Sequence, residues 1–146
     1  RKKIDGWELL LLDIFKKIDK LLEGTNIEIS IEPNSKIYGG DFFHSISEIV
    51  DFIIKNDLQN IKTMIDTHNL ILEGDNPIDV LKVYYDYINH IHISENKLKP
   101  IKDVKFHLKF SDEIKKLKYD KVITYEVIEC DNIYSSIDEF YKIYKQ

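Results

Sequence analysis

Four residues able to bind a metal ion close four short strand-like runs. Glu32 ends IEISIE, Asp66 ends IKTMID, His92 ends HIH and Glu126 ends KVITYE. The steps between them are 34, 26 and 34 residues, close to the length of one strand plus its crossover helix. In a parallel barrel the C-terminal ends of neighbouring strands meet at one rim, so residues spaced in this way can converge on one ion. Metal-dependent catalysis is the chemistry this pattern points to.

The elements that would position these residues follow from periodicity. Trp7, Leu10, Leu11, Ile14, Ile18, Leu21 and Leu22 recur at three and four, which predicts a helix over 5–23 with Gly24 as its stop. Residues 27–32 alternate strictly, Ile27, Ile29 and Ile31 on one side and Glu28, Ser30 and Glu32 on the other, before Pro33 and Asn34 break the strand. A helix over 45–55 carries a stripe of Ile46, Ile49, Val50, Ile53 and Ile54, with Ser45 or Ser47 as N-cap and Glu48 placed for a capping box. Strands over 61–66, 89–94 and 121–128 alternate with helices over 77–88, 106–118 and 135–145. The order is one helix, then β-α four times.

Long helical connections make the strands parallel. An open doubly wound sheet and a barrel both satisfy that order, but only a barrel brings every strand end to one rim. The expected fold is therefore α/β of the (β/α)8 TIM-barrel type, with residues 1–146 forming one domain that holds about the C-terminal four β/α units. Four strands cannot close a barrel that takes about 250 residues. Their open edges are an association hazard. The reading therefore expects a missing N-terminal half-barrel or a second copy of the chain as partner.

Bulk properties narrow the classes. A net charge of −5 argues against unspecific nucleic-acid binding, which rests on a basic face. The single cysteine, Cys130, excludes an internal disulfide and a multi-cysteine zinc site. The most apolar stretch, WELLLLDIF at 7–15, is far shorter than the about 18 residues of a membrane span and contains Glu8 and Asp13. No export signal is legible. The expectation is a cytoplasmic protein with no membrane partner.

The same segments resemble the xylose-isomerase-like TIM-barrel superfamily, which includes sugar phosphate isomerases and epimerases and the abasic-site endonucleases. ISIEPN at 29–34 looks like the family strand ending in a ligand Glu followed by Pro. MIDTHN at 64–69 is similar to its Asp-Thr-x-His segment, HIHISEN at 90–96 to its His-x-His-x-x-Glu segment, and TYEVI at 124–128 carries the final Glu. The four motifs occur in family order over roughly residues 5–142. The resemblance implies that Glu32, Asp66, His92 and Glu126 hold one divalent metal ion. Three carboxylates and an imidazole suit Mn2+ or Mg2+, with Co2+ or Zn2+ also accommodated. It implies Glu32 and Glu126 as the acid–base pair, and His68, Asn69 and Glu95 as substrate-binding neighbours.

The implied reaction is isomerisation or epimerisation of a small sugar or sugar phosphate through an enediolate. A proton is removed beside a carbonyl while a cation steadies the developing charge. Two alternatives stand beside it. An endonuclease IV-like phosphodiesterase on abasic DNA would need further ligands, yet Asn69 stands where that branch has His, and no Asp-x-His pair follows His92. A non-catalytic barrel fragment or interaction module would keep the fold alone. One departure touches the substrate. Family epimerases often place an Arg six residues after the His ligand, and this chain has Leu98 there, with Lys97 beside it.

Other candidates have plainer readings. His90 shares a face with His92 but lies deeper, which suits a hydrogen-bonded core residue. His44 and His107 read as surface or packing residues. Tyr38 and Phe42, in the long loop after Glu32, are candidate pocket walls.

Overall fold

The computed structural model describes residues 2–145. Its centre is a four-stranded parallel sheet of β1 (Ile29–Ile31), β2 (Ile61–Asp66), β3 (Ile88–Ile93) and β4 (Val122–Tyr125), paired in the order β1-β2-β3-β4. Sequential order leaves no point at which the strand order reverses. That is barrel topology rather than a doubly wound sheet. Six helices accompany it: α1 (Trp7–Leu22), α2 (Ile46–Asn56), α3 (Thr67–Glu73), α4 (Pro77–Tyr84), α5 (Val104–Lys116) and α6 (Ile133–Tyr144).

The register aligns the strand tips. Asp66 pairs with His92, and Ile93 pairs with Tyr125. The Glu126 N–H then donates to the Ile93 carbonyl at 2.9 Å, placing Glu126 one step past the end of β4. On the helix side of the sheet Ile65, Ile91 and Ile93 are fully buried, packed with Leu81, Phe110 and Ile114. A second cluster of Ile31, Phe43, Ile49, Ile53, Leu58 and Ile61 fixes α2 against β1 and β2. The opposite face is polar. Near the N-terminal ends of the strands Glu28 lies 3.8 Å from Lys62 and 3.5 Å from Lys121, while the C-terminal ends carry the carboxylates and His92.

Several boundaries differ from the periodicity. β1 is three residues rather than six, because it pairs with β2 only over Ile29–Ile31. The segment after Asp66 is a seven-residue helix, capped by the Asp66 side chain accepting from Asn69 N. The expected 77–88 helix ends at Tyr84, tightens into a 3-10 turn at Tyr85–Tyr87 and passes directly into β3. On α1 Leu11, Phe15 and Ile18 pack against the core and Trp7 stacks on Phe42, whereas Leu10, Ile14 and Leu21 face outward. A helix lying over the edge strand has a neighbour on one side only, so its wide apolar stripe is covered in part. At α2 Ser45 Oγ accepts from Glu48 N as expected, but Glu48 Oε2 reaches the backbone N–H of His44 rather than that of Ser45. No described helix is long and apolar enough to cross a membrane.

Candidate metal centre

The strand tips bring Glu32, Asp66, His92 and Glu126 together, with one ligand atom from each lying within 4.8 Å of all the others. His92 is the hub. Its Nδ1 lies 3.4 Å from Glu126 Oε2 and 3.7 Å from Glu32 Oε1, and it is a buried nitrogen without a hydrogen bond. Nδ1 thus faces two carboxylates at ion-pair distance. Asp66 is the most buried of the four at 5% exposed. Its Oδ1 accepts from Asn69 N at 2.7 Å and from Ser94 Oγ at 2.8 Å, which fixes the carboxylate and leaves Oδ2 without either bond.

The electrostatics suit a cation. The Glu32 carboxylate holds His92 above the ordinary histidine range, helped by Glu126 and Asp66 and opposed by burial. Burial, together with the charges of Asp66 and Glu32, pushes Glu126 above the ordinary carboxylate range, while His92 pulls the other way. Three carboxylates crowded around one imidazole repel one another, and a divalent ion among them relieves that repulsion. The donor set therefore fits a hard divalent cation.

Around the cluster a cavity of about 190 Å³ is walled by His68, Asn69, Tyr38, Glu95, Lys97 and Leu98, besides three of the four acidic and imidazole groups. His68 and Asn69 thus stand beside the candidate ligands. Tyr38 is a wall of this cavity, whereas Phe42 is stacked on Trp7 with ring centroids 4.7 Å apart. Glu95 also borders the space, but its Oε1 already accepts from Lys102 N, Asp103 N and His107 Nε2. His90 sits beneath His92, ring centroids 4.8 Å apart, with Nε2 2.7 Å from Thr124 Oγ1. Burial and the neighbouring His92 lower its pKa.

His107 is the residue that sequence reading undervalued. It is 1% exposed and links Glu95 to Tyr144. The signal was present in the buried stripe His107, Phe110, Ser111 and Ile114 of α5, spaced at three and four.

A barrel sheet and candidate ligands converging at one rim define a class of α/β-barrel protein with a candidate metal centre. Residues 2–139 match the family described as Xylose isomerase-like TIM barrel, and the chain belongs to that family. Among characterised relatives, it is 22% identical over 95 residues to the 3-dehydro-D-guloside 4-epimerase of Escherichia coli, covering 65% of this chain and 36% of that one. It is 26% identical over 86 residues to the D-psicose 3-epimerase of Enterocloster bolteae, covering 58% and 28%. The fold superposes on the apo structure of a 3-keto-D-glucoside 4-epimerase from E. coli with a TM-score of 0.81 at 18% identity, covering 99% of this chain and 56% of that one. A D-psicose 3-epimerase from Clostridium cellulolyticum, solved with D-tagatose, gives a TM-score of 0.71 at 20% identity and covers 99% and 51%. The chain spans about a third of the length of the characterised relatives and about half that of the solved structures.

Proposed function

We propose that Glu32, Asp66, His92 and Glu126 hold one divalent cation, Mn2+ or Mg2+ by preference, in an enzyme that isomerises or epimerises a small sugar. The convergence of one donor atom from each of these four residues, all within 4.8 Å of one another, carries this reading. Epimerase activity in relatives of the same family supports it.

When bound, the cation would supply Lewis-acid stabilisation of the negative charge that develops on the carbonyl oxygen during proton removal. The chain's own groups then divide the work. One of Glu32 and Glu126 accepts the proton from the carbon beside the carbonyl, and the other returns a proton to give the product. Asp66, fixed by Ser94 and Asn69, is built to hold position. His68 and Asn69 border the cavity and would bond sugar hydroxyls. A full pocket would draw its remaining walls from an N-terminal half-barrel or a second copy of the chain.

The nuclease alternative has less support, because no second group of three or more metal-binding side chains converges among the described residues. The test is calorimetric titration with Mn2+ alongside proton-exchange NMR in D2O. The wild type is expected to bind one ion and to exchange a carbon-bound hydrogen of a ketose for deuterium. Glu126→Gln should lose both. A wild type that binds no divalent ion overturns the reading.

A further inference from the structure

We propose that the loop joining β3 to α5 is a recognition site for an anionic group on the substrate, a phosphate ester or a carboxylate, with Lys97, Lys99 and Lys102 as its binding residues. The inference rests on the sugar-enzyme reading above and narrows its substrate class.

The charge pattern is local. In a chain of net charge −5, residues 95–105 carry four lysines against two acids. A second cavity, of about 410 Å³, is lined by Glu95, Asn96, Lys97, Lys99, Pro100 and Lys102. Lys97 and Glu95 belong to this cavity and to the one at the metal cluster, so the two spaces adjoin. Among the described residues none of Lys97, Lys99 and Lys102 forms an ion pair, although the carboxylates of the cluster border the same region. Three uncommitted ammonium groups beside one cavity are a donor set for an anion.

The loop is also held in a conformation with an intrinsic cost. Lys97 and Leu98 are consecutive non-glycine residues in the left-handed region, at φ 58° and 52°. Such residues cost of the order of 1 kcal/mol or more each and persist where surroundings fix them. Here the fixing bonds are evident. Leu98 N donates to Glu95 O at 2.8 Å, and Ile128 N to Leu98 O at 2.7 Å. Glu95 Oε1 gathers Lys102 N at 3.0 Å and Asp103 N at 3.1 Å, and Ile101 N reaches Tyr125 Oη at 3.1 Å. These bonds make the loop a preorganised frame and turn Glu95 Oε1 toward the backbone N–H groups of Lys102 and Asp103. A sugar whose carbonyl end lies at Glu32 and Glu126 would extend its charged end over Lys97.

The test compares D-fructose 6-phosphate, D-glucuronate and D-fructose as ligands by calorimetry, in the presence of Mn2+. At least one anionic sugar is expected to bind about tenfold or more tightly than D-fructose, the margin of one charge-assisted hydrogen bond. A margin for the phosphate alone assigns a phosphate ester, and a margin for the uronate alone assigns a carboxylate. Lys97→Asn, chosen because asparagine accepts left-handed backbone, combined with Lys99→Gln and Lys102→Gln, should erase the margin. The affinity for Mn2+, which none of the three lysines is proposed to hold, should stay unchanged, and Lys97→Arg should retain the margin. Absence of a margin in the wild type, or its survival in the triple variant, overturns the assignment. A wild type that keeps the margin but binds no Mn2+ overturns the metal-centre reading instead and leaves the loop assignment standing.

Discussion

The Tyr144 hydroxyl lies 2.6 Å from Nδ1 of His107, joining the last turn of α6 to the buried side of α5. On the other edge of the ring, Nε2 lies 3.2 Å from Glu95 Oε1. Burial holds the ring below the ordinary histidine range despite the Glu95 carboxylate, so it is neutral at neutral pH. Burial also raises the Tyr144 phenol, which keeps its proton and donates. One tautomer satisfies every partner. Tyr144 donates to Nδ1, and Nε2–H donates to Glu95.

That arrangement sets an acid limit on the fold. His107 in the unfolded chain takes up a proton near pH ~6.5, whereas the folded ring resists it. The unfolded state therefore binds more protons, and stability falls as pH drops from about 6.5 through the folded value. Glu95 acts in the same direction at lower pH. Burial works to raise its pKa, but the N–H groups of Lys102 and Asp103 and the His107 ring outweigh burial and hold it low. His92, held above the ordinary histidine range, works in the opposite direction as it protonates, so the readout is the difference between two proteins. His107→Gln should lose less Tm than the wild type as pH falls from about 6.5, and equal losses would contradict the account.

Tyr144→Phe isolates the other half of the chain of bonds. The ring stays packed against Phe140, but Nδ1 of His107 loses its donor in a buried setting. An unsatisfied buried acceptor costs about 1–3 kcal/mol. Denaturant unfolding is expected to show a loss of that size, against a change within about 0.5 kcal/mol for Tyr134→Phe, whose side chain is 83% exposed.

How far the sequence revealed this molecule depends on which residues carried more than one duty. The alternation Ile27, Ile29, Ile31 announced β1, and the ligand-type residues at strand ends announced the rim, because both are direct consequences of strand geometry. α3 escaped notice since it is only seven residues long and its N-cap is Asp66, a side chain already read as a candidate ligand. His107 was hidden by its polarity, since an apolar residue at the same place would have completed the stripe with Phe110 and Ile114 at once. The left-handed pair Lys97–Leu98 had no glycine to signal it. Its conformation comes from hydrogen bonds to Glu95 and Ile128 that are set by the tertiary fold.

Ser94 tests whether the candidate centre depends on its supporting shell. Its Oγ donates to Asp66 Oδ1 at 2.8 Å and accepts from His68 N at 3.1 Å, so one hydroxyl orients a candidate ligand and the segment carrying His68 and Asn69. Outer-shell partners of metal ligands typically change affinity by about 10–100-fold. Ser94→Ala is expected to weaken Mn2+ binding by about tenfold while the far-ultraviolet circular dichroism stays unchanged. Unaltered Mn2+ affinity would show that Asp66 needs no such support.

Asp19 decides how α1 is held. Few of its apolar side chains reach the core, yet Asp19 Oδ1 accepts from the backbone N–H of Asn60 at 2.6 Å and from its side-chain amide at 3.2 Å. The Asn60 carbonyl in turn accepts from Ile29 N at 2.9 Å, so a single residue ties helix, edge strand and β2 together. With so little apolar contact, the polar bonds carry an unusual share of the helix's attachment. Asp19→Ala should therefore cost about 1–3 kcal/mol and speed amide exchange along Trp7–Leu22 more than in α5. Equal protection of the two helices in the variant would mean that Trp7, Leu11, Phe15 and Ile18 hold α1 by packing alone.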